Sequence, residues 1–217
     1  MITLVALDMA GTTVADGGAV EAAFHDALAS LGTEATPAQL EHVRTTMGQS
    51  KIEVFRALLD DEAAARSATS AFEAAYERRA ASEGVVALPG AEDLFAALRA
   101  RGVRVCLTTG FSDATREMLV ERLGWSDLVN LSLSPGPGVR GRPFPDLVLS
   151  AALRLGVDDV RDVAVVGDTA SDLLAGTRAG ASVVAGVLTG AHDRAALEAA
   201  PHTHVLDSVA DLEPLLG

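Results

Sequence analysis

Short apolar runs alternate with helical patterns along the second half of this 217-residue chain, and this alternation restricts the fold more than any other feature. Runs such as VRVCLTT and VAVVGD are each followed by a helical pattern, which is typical of parallel strands joined by crossover helices. The runs show little polar alternation, as expected of strands covered by helices on both faces. With Ile2 to Asp8 in front and His204 to Leu206 behind, we expect a doubly wound parallel α/β sheet of five or six strands.

Residues from about 20 to 79 follow a different pattern. They form helical patterns with no convincing strand among them. Gly17-Gly18 at the front and Pro89-Gly90 at the back are turn formers of the kind that serve as hinges. We therefore predict an α/β core domain of residues 1–16 and 88–217, with a small all-helical cap of residues 17–87 inserted after the first strand. Apolar residues on the cap helices could form a homodimer interface or the cap's own core.

The charge balance excludes some partners. The chain has 30 Asp and Glu against 17 Lys and Arg, a net charge of −13, so nucleic acid is not an expected partner. An anionic substrate is repelled at long range, so its site needs local positive charge from a metal, Lys or Arg. The start, MITLVALD, lacks the basic region of a signal peptide, and no apolar run reaches the roughly 18 residues of a membrane span. These features predict a cytoplasmic protein without a membrane partner.

Polar residues close the predicted strands, where doubly wound sheets bind their ligands. Asp8 begins the segment DMAGTT, Thr109 and Gly110 follow a second strand, and Asp168 and Asp172 lie in the segment GDTASD. Asp8 could be a carboxylate nucleophile toward phosphorus, with Asp168 and Asp172 completing an oxygen-ligand site for Mg²⁺. Alternatively, these residues could only cap a loop and a helix, since Asp, Ser and Thr are favoured at such positions.

In this order and spacing, the motifs resemble those of the haloacid dehalogenase superfamily of phosphoryl-transfer enzymes, and the resemblance covers essentially the whole chain. Phosphatases of that superfamily carry a second Asp two residues after the nucleophile, as the general acid for the leaving group, but this chain has Ala10 there. DMAGTT is instead similar to the pattern of phosphonatases, which cleave a carbon–phosphorus bond. Their enamine leaving group needs no proton from that Asp.

The segment MGQSK, which ends at Lys51, resembles the MGxxK motif of phosphonatases, whose lysine forms a Schiff base with the substrate aldehyde. Lys51 is also the only lysine in the chain, which suggests a role for a primary amine that can lose its proton. A functionless residue on an exposed helix is the alternative. A free lysine has a pKa of ~10.4, and we expect burial and the cations Mg²⁺ and Arg142 to lower the pKa of Lys51 below that value.

The same resemblance implies how the phosphoryl group is held. Arg142, in the segment GRPFP, would clamp the phosphoryl oxygens as a fork, whereas Arg140 is expected to be a solvated loop residue. Thr109 and the amide of Gly110 would add hydrogen bonds. Asp8 would form an aspartyl-phosphate that water hydrolyses, while the enamine on Lys51 tautomerises and releases an aldehyde.

The resemblance also implies a magnesium site. Mg²⁺ would be held by Asp8, the backbone carbonyl of Ala10 and Asp168, with Asp172 orienting a bound water. A carbonyl ligand explains why Ala is tolerated at position 10.

This chain departs from the phosphonatase pattern at two places. Phosphonatases usually have a His three residues after the lysine, where this chain has Val54, and a Cys just beyond the first motif, where it has Asp16-Gly17-Gly18. The substrate is therefore phosphonoacetaldehyde or a substituted 2-oxoethylphosphonate, in a rebuilt pocket. Candidates to line that pocket are His25, Met47, Glu53 and Phe111. Four further side chains are expected to have no part in it: His192, His202 and His204 at the surface, and Cys106 as a buried structural thiol.

Two other functions stay open at the level of sequence. The first is a phosphatase acting on a small phosphate ester with another general acid. The second is an anion- or metal-binding protein without catalytic activity, in which Asp8 and Lys51 have no chemical role.

Overall fold

The computed structural model describes residues 1–32 and 34–216. Its strands form one parallel sheet of six strands in the order β3-β2-β1-β4-β5-β6. The strand bounds are β1 Leu4–Asp8, β2 Arg104–Thr108, β3 Leu131–Leu133, β4 Val163–Gly167, β5 Val183–Val187 and β6 His204–Leu206. The parallel α/β sheet expected from the alternating pattern is thereby confirmed, and β1 lies next to the point where the strand order reverses.

Both faces of the sheet are covered, which explains why its strands are apolar without alternation. Successive residues of β1 enter different cores: Val5 and Leu7 lie in one buried cluster, Leu4 and Ala6 in another. The helices that follow residue 90 cover the two faces of the sheet. Their bounds are α5 Ala91–Ala100, α6 Asp113–Arg122, α7 Asp146–Arg154, α8 Ala170–Ala179 and α9 Arg194–Glu198. Cys106 is fully buried in β2, as expected, and burial raises the pKa of its thiol to about 12.

Helices alone occupy the segment between β1 and α5, as far as the structure describes it. Their bounds are α1 Ala19–Ser30, α2 Pro37–Thr45, α3 Lys51–Leu58 and α4 Glu62–Glu83. Phe24, Phe55 and Phe72 come from three of these helices and pack ring against ring, with centroids 4.7 to 6.4 Å apart. The helical segment therefore has apolar packing of its own above the sheet.

The start of α2 follows from local chemistry. Helix α2 begins with a capping box, in which Thr36 and Gln39 satisfy each other's backbone amides, and with Pro37 at its first position.

Among the described residues, no helix is both long and apolar enough to cross a bilayer.

Candidate active site

Asp8 is the last residue of β1, and a tight loop holds it at the edge of the sheet. The carbonyl oxygen of Met9 accepts the amides of Thr12, Thr13 and Val14 at 2.7 to 3.1 Å, and the Thr13 hydroxyl donates to the Asp8 carbonyl at 2.8 Å. The Asp8 side chain is buried, with 5% exposure. Its pKa is raised well above the usual range by burial, against the opposing charge of Arg142 and with added repulsion from Asp172 and Asp168.

Arg142 lies between two of the predicted carboxylates. One terminal nitrogen, Nη1, donates to Asp8 at 2.5 Å and also to Asp172, and the guanidinium is 3% exposed. Its Nε is buried and has no hydrogen-bond partner among the described residues. The fork therefore retains a donor for another anion. Arg140, by contrast, is exposed and pairs with Asp146, as expected of a solvated loop residue.

Asp172 has two roles in this geometry. Its Oδ2 accepts the amide of Thr169 at 3.1 Å, which completes a capping box at the start of α8, while Oδ1 faces Arg142. One carboxylate therefore caps α8 with one oxygen and contacts Arg142 with the other.

Asp168 follows β4 and is held on both of its oxygens. The Thr12 hydroxyl donates to Oδ1 at 3.1 Å and the Ala191 amide donates to Oδ2 at 2.7 Å. Burial and repulsion from Asp172 raise the pKa of Asp168, against these hydrogen bonds. Its carboxylate is thus fixed in place while lone pairs remain for a further ligand.

The donors present fit a hard divalent cation. Asp8, Ala10 and Asp168 line one cavity, and burial together with repulsion among the carboxyl groups raises the pKa of both Asp8 and Asp168, so a cation beside them would stabilise their charged forms. Within residues 1–32 and 34–216, no three His, Cys, Asp or Glu side chains are arranged so that they alone could hold a metal ion. The predicted set differs from such a group, because one of its three ligands is a carbonyl oxygen.

Lys51, the first residue of α3, is surrounded by aromatic rings. Its Nζ lies 5.2 to 5.5 Å from the centroids of Phe24, Phe72 and Phe111, and the residue is 6% exposed. We call these three residues the aromatic box. In the described part of the chain, no carboxylate oxygen lies within 4.0 Å of Nζ. The alternative of a lysine on an exposed helix is therefore wrong, because Lys51 is buried.

The amine of Lys51 has a pKa of about 8, against an ordinary value of 10.5. Burial is the main cause, followed by the charge of Arg142, while Asp8, Asp16 and Asp168 act in the opposite direction. The direction and both of these causes were expected from the sequence. About one amine in ten would therefore be neutral at pH 7, against about one in a few thousand for an ordinary lysine.

The helical segment presses directly against the loops of the sheet at the site. A Cβ atom on Gly110 would collide with the backbone carbonyl of Gln49, and one on Gly48, where φ is +80°, would lie 2.6 Å from the Thr169 hydroxyl. The amide of Lys51 also donates to the carbonyl of Gly110 at 3.4 Å. These close approaches place the amine of the helical segment over the strand ends of the core.

A cavity of about 390 Å³ joins the two parts of the site. It is lined by every residue predicted to act except Asp172, which lies beneath Arg142: Asp8, Ala10, Lys51, Thr109, Gly110, Arg142 and Asp168. The hydroxyl of Thr109 accepts the Phe111 amide at 3.2 Å. Met47 and Phe111 also line the cavity, as expected.

Two of the candidate pocket residues do not line the cavity. His25 is exposed on α1, and Glu53 is exposed on α3, where it pairs with Arg56 instead of lining the site cavity. Helix phase decides this for Glu53, which lies two residues after Lys51 on the side of α3 opposite the buried positions Lys51, Val54 and Phe55. His192 is half-buried, accepts the Ala170 amide at 3.1 Å and approaches the carbonyl of Arg44 at 3.4 Å.

Sequence reasoning missed several residues of the site. Asp16, Glu21 and Arg44 line the cavity, and Phe24 and Phe72 complete the aromatic box. The two phenylalanines lie on distant helices, so only tertiary packing brings them to Lys51. For Asp16 a signal existed, since it is a lone acid directly before the Gly17-Gly18 turn.

Comparison with known sequences identifies the family of this chain. The family model for haloacid dehalogenase-like hydrolases matches residues 2–180. A phosphonoacetaldehyde hydrolase from Bordetella pertussis is 32% identical over 250 aligned positions, covering 97% of this chain and 89% of the relative.

Solved structures are similar to this chain over nearly its whole length. A hydrolase from Pseudomonas syringae superposes with a TM-score of 0.87 at 25% identity, covering 99% of this chain and 97% of that one. A phosphonoacetaldehyde hydrolase-like protein from Oleispira antarctica superposes with a TM-score of 0.85 at 27% identity, covering 99% of this chain and 91% of that one.

Proposed function

The chain belongs to the haloacid dehalogenase-like hydrolase family, and from that premise we propose that it hydrolyses the carbon–phosphorus bond of a small phosphonate. The substrate is phosphonoacetaldehyde or a closely related 2-oxoethylphosphonate. The reaction uses a Schiff base on Lys51 and an aspartyl-phosphate on Asp8.

One observation carries this proposal: the only lysine of the chain is buried with a lowered pKa in the same cavity as Asp8 and Arg142. A lysine that only served as a cation would be expected to pair with a carboxylate, as Arg142 does. Lys51 instead is buried among aromatic rings: the ring faces attract an ammonium group, but burial and the charge of Arg142 lower the pKa of the amine. A neutral primary amine is what an aldehyde requires in order to form an imine.

The amine prepares the carbon side of the bond. Nζ of Lys51 adds to the aldehyde carbon, and loss of water gives an iminium. As phosphorus departs, the electron pair of the carbon–phosphorus bond forms the carbon–carbon double bond of an enamine, and the iminium π electrons return to nitrogen. The leaving carbon therefore needs no proton at that moment, which is consistent with a methyl group at Ala10 in place of an acid.

Core residues act on the phosphorus side. A carboxylate oxygen of Asp8 attacks phosphorus in line with the departing carbon and forms the aspartyl-phosphate, which water hydrolyses to orthophosphate. Arg142 already contacts Asp8, and its unpartnered Nε offers a donor to a phosphonate oxygen beside the nucleophile. Thr109 and Gly110 border the same space and would add hydrogen bonds.

The donor set supports magnesium as the cofactor. Asp8, the carbonyl oxygen of Ala10 and Asp168 would hold it, with Asp172 orienting a bound water. When bound, Mg²⁺ would offset phosphonate charge and lower the pKa of the surrounding carboxyl groups. Mg²⁺ would thereby add to the positive charge of Arg142 and Lys51 at the site of a chain whose net charge is −13.

The division of the site between two regions requires movement. Lys51 belongs to the helical segment 17–87 and Asp8 to the core, and their contact surfaces are tight at Gly48 and Gly110. We therefore take residues 17–87 as a cap that opens to admit substrate, with Gly17-Gly18 and Pro89-Gly90 as hinges.

The test measures orthophosphate and aldehyde released from phosphonoacetaldehyde with Mg²⁺, in the wild-type and Lys51→Arg proteins. We expect equal amounts of both products from the wild type and a loss of about 10⁴-fold or more in Lys51→Arg, since a guanidinium stays charged and forms no imine. Simple sugar and aryl phosphates serve as comparison substrates. Phosphate-ester hydrolysis that survives in Lys51→Arg, with no phosphonate cleavage by the wild type, would contradict the proposal in favour of a phosphatase.

A further inference from the structure

Asp16 is a carboxyl group in the site cavity to which the proposed reaction assigns no task. The other acidic residues that line the cavity are Asp8, Glu21 and Asp168. Glu21 is held by Arg44 through two hydrogen bonds of 2.7 and 3.2 Å, and the other two belong to the phosphoryl end of the site. In the part of the chain that the structure describes, Asp16 has no ion-pair partner.

The hydrogen bonds of Asp16 are those of a turn. Its two oxygens accept the amides of Gly18 and Val20 at 3.2 and 3.1 Å, which supports the start of α1. Each oxygen accepts one hydrogen bond, so a lone pair of each remains available. An Asn or Ser side chain could still accept one of these two hydrogen bonds, so the turn alone does not require a charged residue that is mostly buried here.

Asp16 faces Lys51 across the cavity at more than ion-pair distance. Each group perturbs the other's pKa: the charge of Lys51 lowers the pKa of Asp16, and the charge of Asp16 raises that of Lys51. Burial is nevertheless the larger cause for Asp16 and raises its pKa, so its carboxyl group binds a proton more readily than an exposed aspartate.

Imine formation needs an acid that lies near the amine without being paired with it. Addition of an amine to an aldehyde gives a carbinolamine, whose hydroxyl must be protonated before it leaves as water. That oxygen lies beyond Nζ by one carbon atom, so an acid in hydrogen-bond contact with it stands about 4 to 5 Å from Nζ. The aromatic box supplies no proton, and the residue one turn along α3 is the apolar, buried Val54.

We propose that Asp16 is the proton donor and acceptor for the imine chemistry at Lys51, an inference that rests on the proposed function. The protonated carboxyl of Asp16 gives its proton to the carbinolamine hydroxyl. Water leaves, the nitrogen lone pair forms the C=N bond, and Asp16 becomes a carboxylate. When the final iminium is hydrolysed, Asp16 takes a proton from the attacking water and is restored.

Asp16 also lines a second, smaller cavity. This space, of about 50 Å³, is lined by Asp16 together with Tyr76, Arg79 and Glu83. Asp16 therefore borders two cavities, one of which is the site. The charged and titratable groups around it are Lys51 and Glu21 on the site side and these three residues on the other.

The test follows the rate at which borohydride traps phosphonoacetaldehyde on Lys51 of the Mg²⁺-loaded enzyme, by intact-mass spectrometry after rapid quenching. Asp16→Asn keeps one of the two acceptor oxygens of the turn and removes the acid. We expect its trapping rate to fall about 10²-fold. Asp16→Glu retains the carboxyl and should recover most of that loss, while Glu53→Gln, an exposed acid outside the cavity, should stay within about twofold of the wild type.

Each outcome decides the matter. Trapping by Asp16→Asn at the wild-type rate would overturn the role of Asp16 and leave the proposed function intact. Absence of any adduct in the wild type would instead overturn the proposed function, and this inference with it. If Asp16→Asn does not fold, as judged by its melting temperature, Asp16→Ser replaces it and must show the same loss.

Discussion

The two halves of the site are built by opposite physical means. The core half consists of Asp8, Asp168, Asp172 and Arg142, whose charges face one another and are fixed by hydrogen bonds at strand and helix ends. The cap half consists of Lys51 in the aromatic box, with no carboxylate at ion-pair distance among the described residues. Burial favours the uncharged form in both halves, so it lowers the pKa of the Lys51 amine and raises the pKa of the Asp8 carboxyl group.

This difference matches the two ends of an aldehyde-bearing phosphonate. The charged end needs fixed donors and a cation, while the carbonyl end needs an amine that has already lost its proton. A single environment could not provide both. In this division, burial lowers the pKa of the Lys51 amine, and the charge of Arg142 in the core adds to that effect.

The largest expected effect separates the halves chemically. In Asp8→Asn the side chain keeps its shape but no longer attacks phosphorus, so orthophosphate release should fall about 10⁴-fold or more. Imine trapping on Lys51 should persist within about tenfold of the wild-type rate, because the aromatic box is unchanged. Equal loss of trapping and turnover would show that the halves do not act separately.

The second effect concerns stability. Phe72 is fully buried in the cap, and Phe72→Ala should reduce the free energy of unfolding by about 3–5 kcal/mol. Phe144, 42% exposed on the core surface, is the matched control, and Phe144→Ala should cost less than about 1 kcal/mol. Denaturant unfolding measures both. Similar values for the two variants would show that the box is not part of the cap's packing.

The third effect is on pH dependence. The neutral amine is the reactive form of Lys51, and its pKa is about 8. Between pH 6 and 8 the neutral fraction rises from about 1% to about half, so the initial rate of trapping with cyanoborohydride should rise roughly 50-fold and then level off. A rate that keeps rising about tenfold per pH unit beyond pH 9 would mean an unshifted lysine.

The smallest effect concerns the contact between the halves. Gly110→Ala places a methyl group against the backbone of Gln49 and should hold the cap away from the core, slowing turnover about tenfold. Gly136→Ala, where a Cβ atom meets nothing within 4 Å, should change turnover by less than about twofold. Steady-state kinetics of the two variants decide whether close approach at Gly110 matters.

The core half was largely predictable from the sequence, because the parallel sheet places the ends of its strands at one edge. Asp8, Thr109 and Asp168 each follow an apolar run, so the topology alone brings them together. The contact of Arg142 with both Asp8 and Asp172 was not predictable, because it depends on the path of a loop between β3 and α7.

The cap half was predictable only in part. A single lysine within a motif identifies Lys51, but the identity of its neighbours depends on how α1, α3 and α4 pack. Helix phase defeated the expectation for Glu53 and His25, since both lie on exposed sides of their helices. Periodicity places a residue on a face of its helix, but it does not say which other helix covers that face.

The measurement that tests the central claim most directly is peptide mapping of the enzyme after incubation with phosphonoacetaldehyde, Mg²⁺ and borohydride. Reduction converts an imine into a stable secondary amine, and the chain has one lysine, so the site of modification is unambiguous once labelling of the N-terminus is separated. We predict one adduct, located on Lys51 and absent from Lys51→Arg. A folded, Mg²⁺-loaded enzyme that releases orthophosphate from the substrate without any adduct on Lys51 would contradict the account.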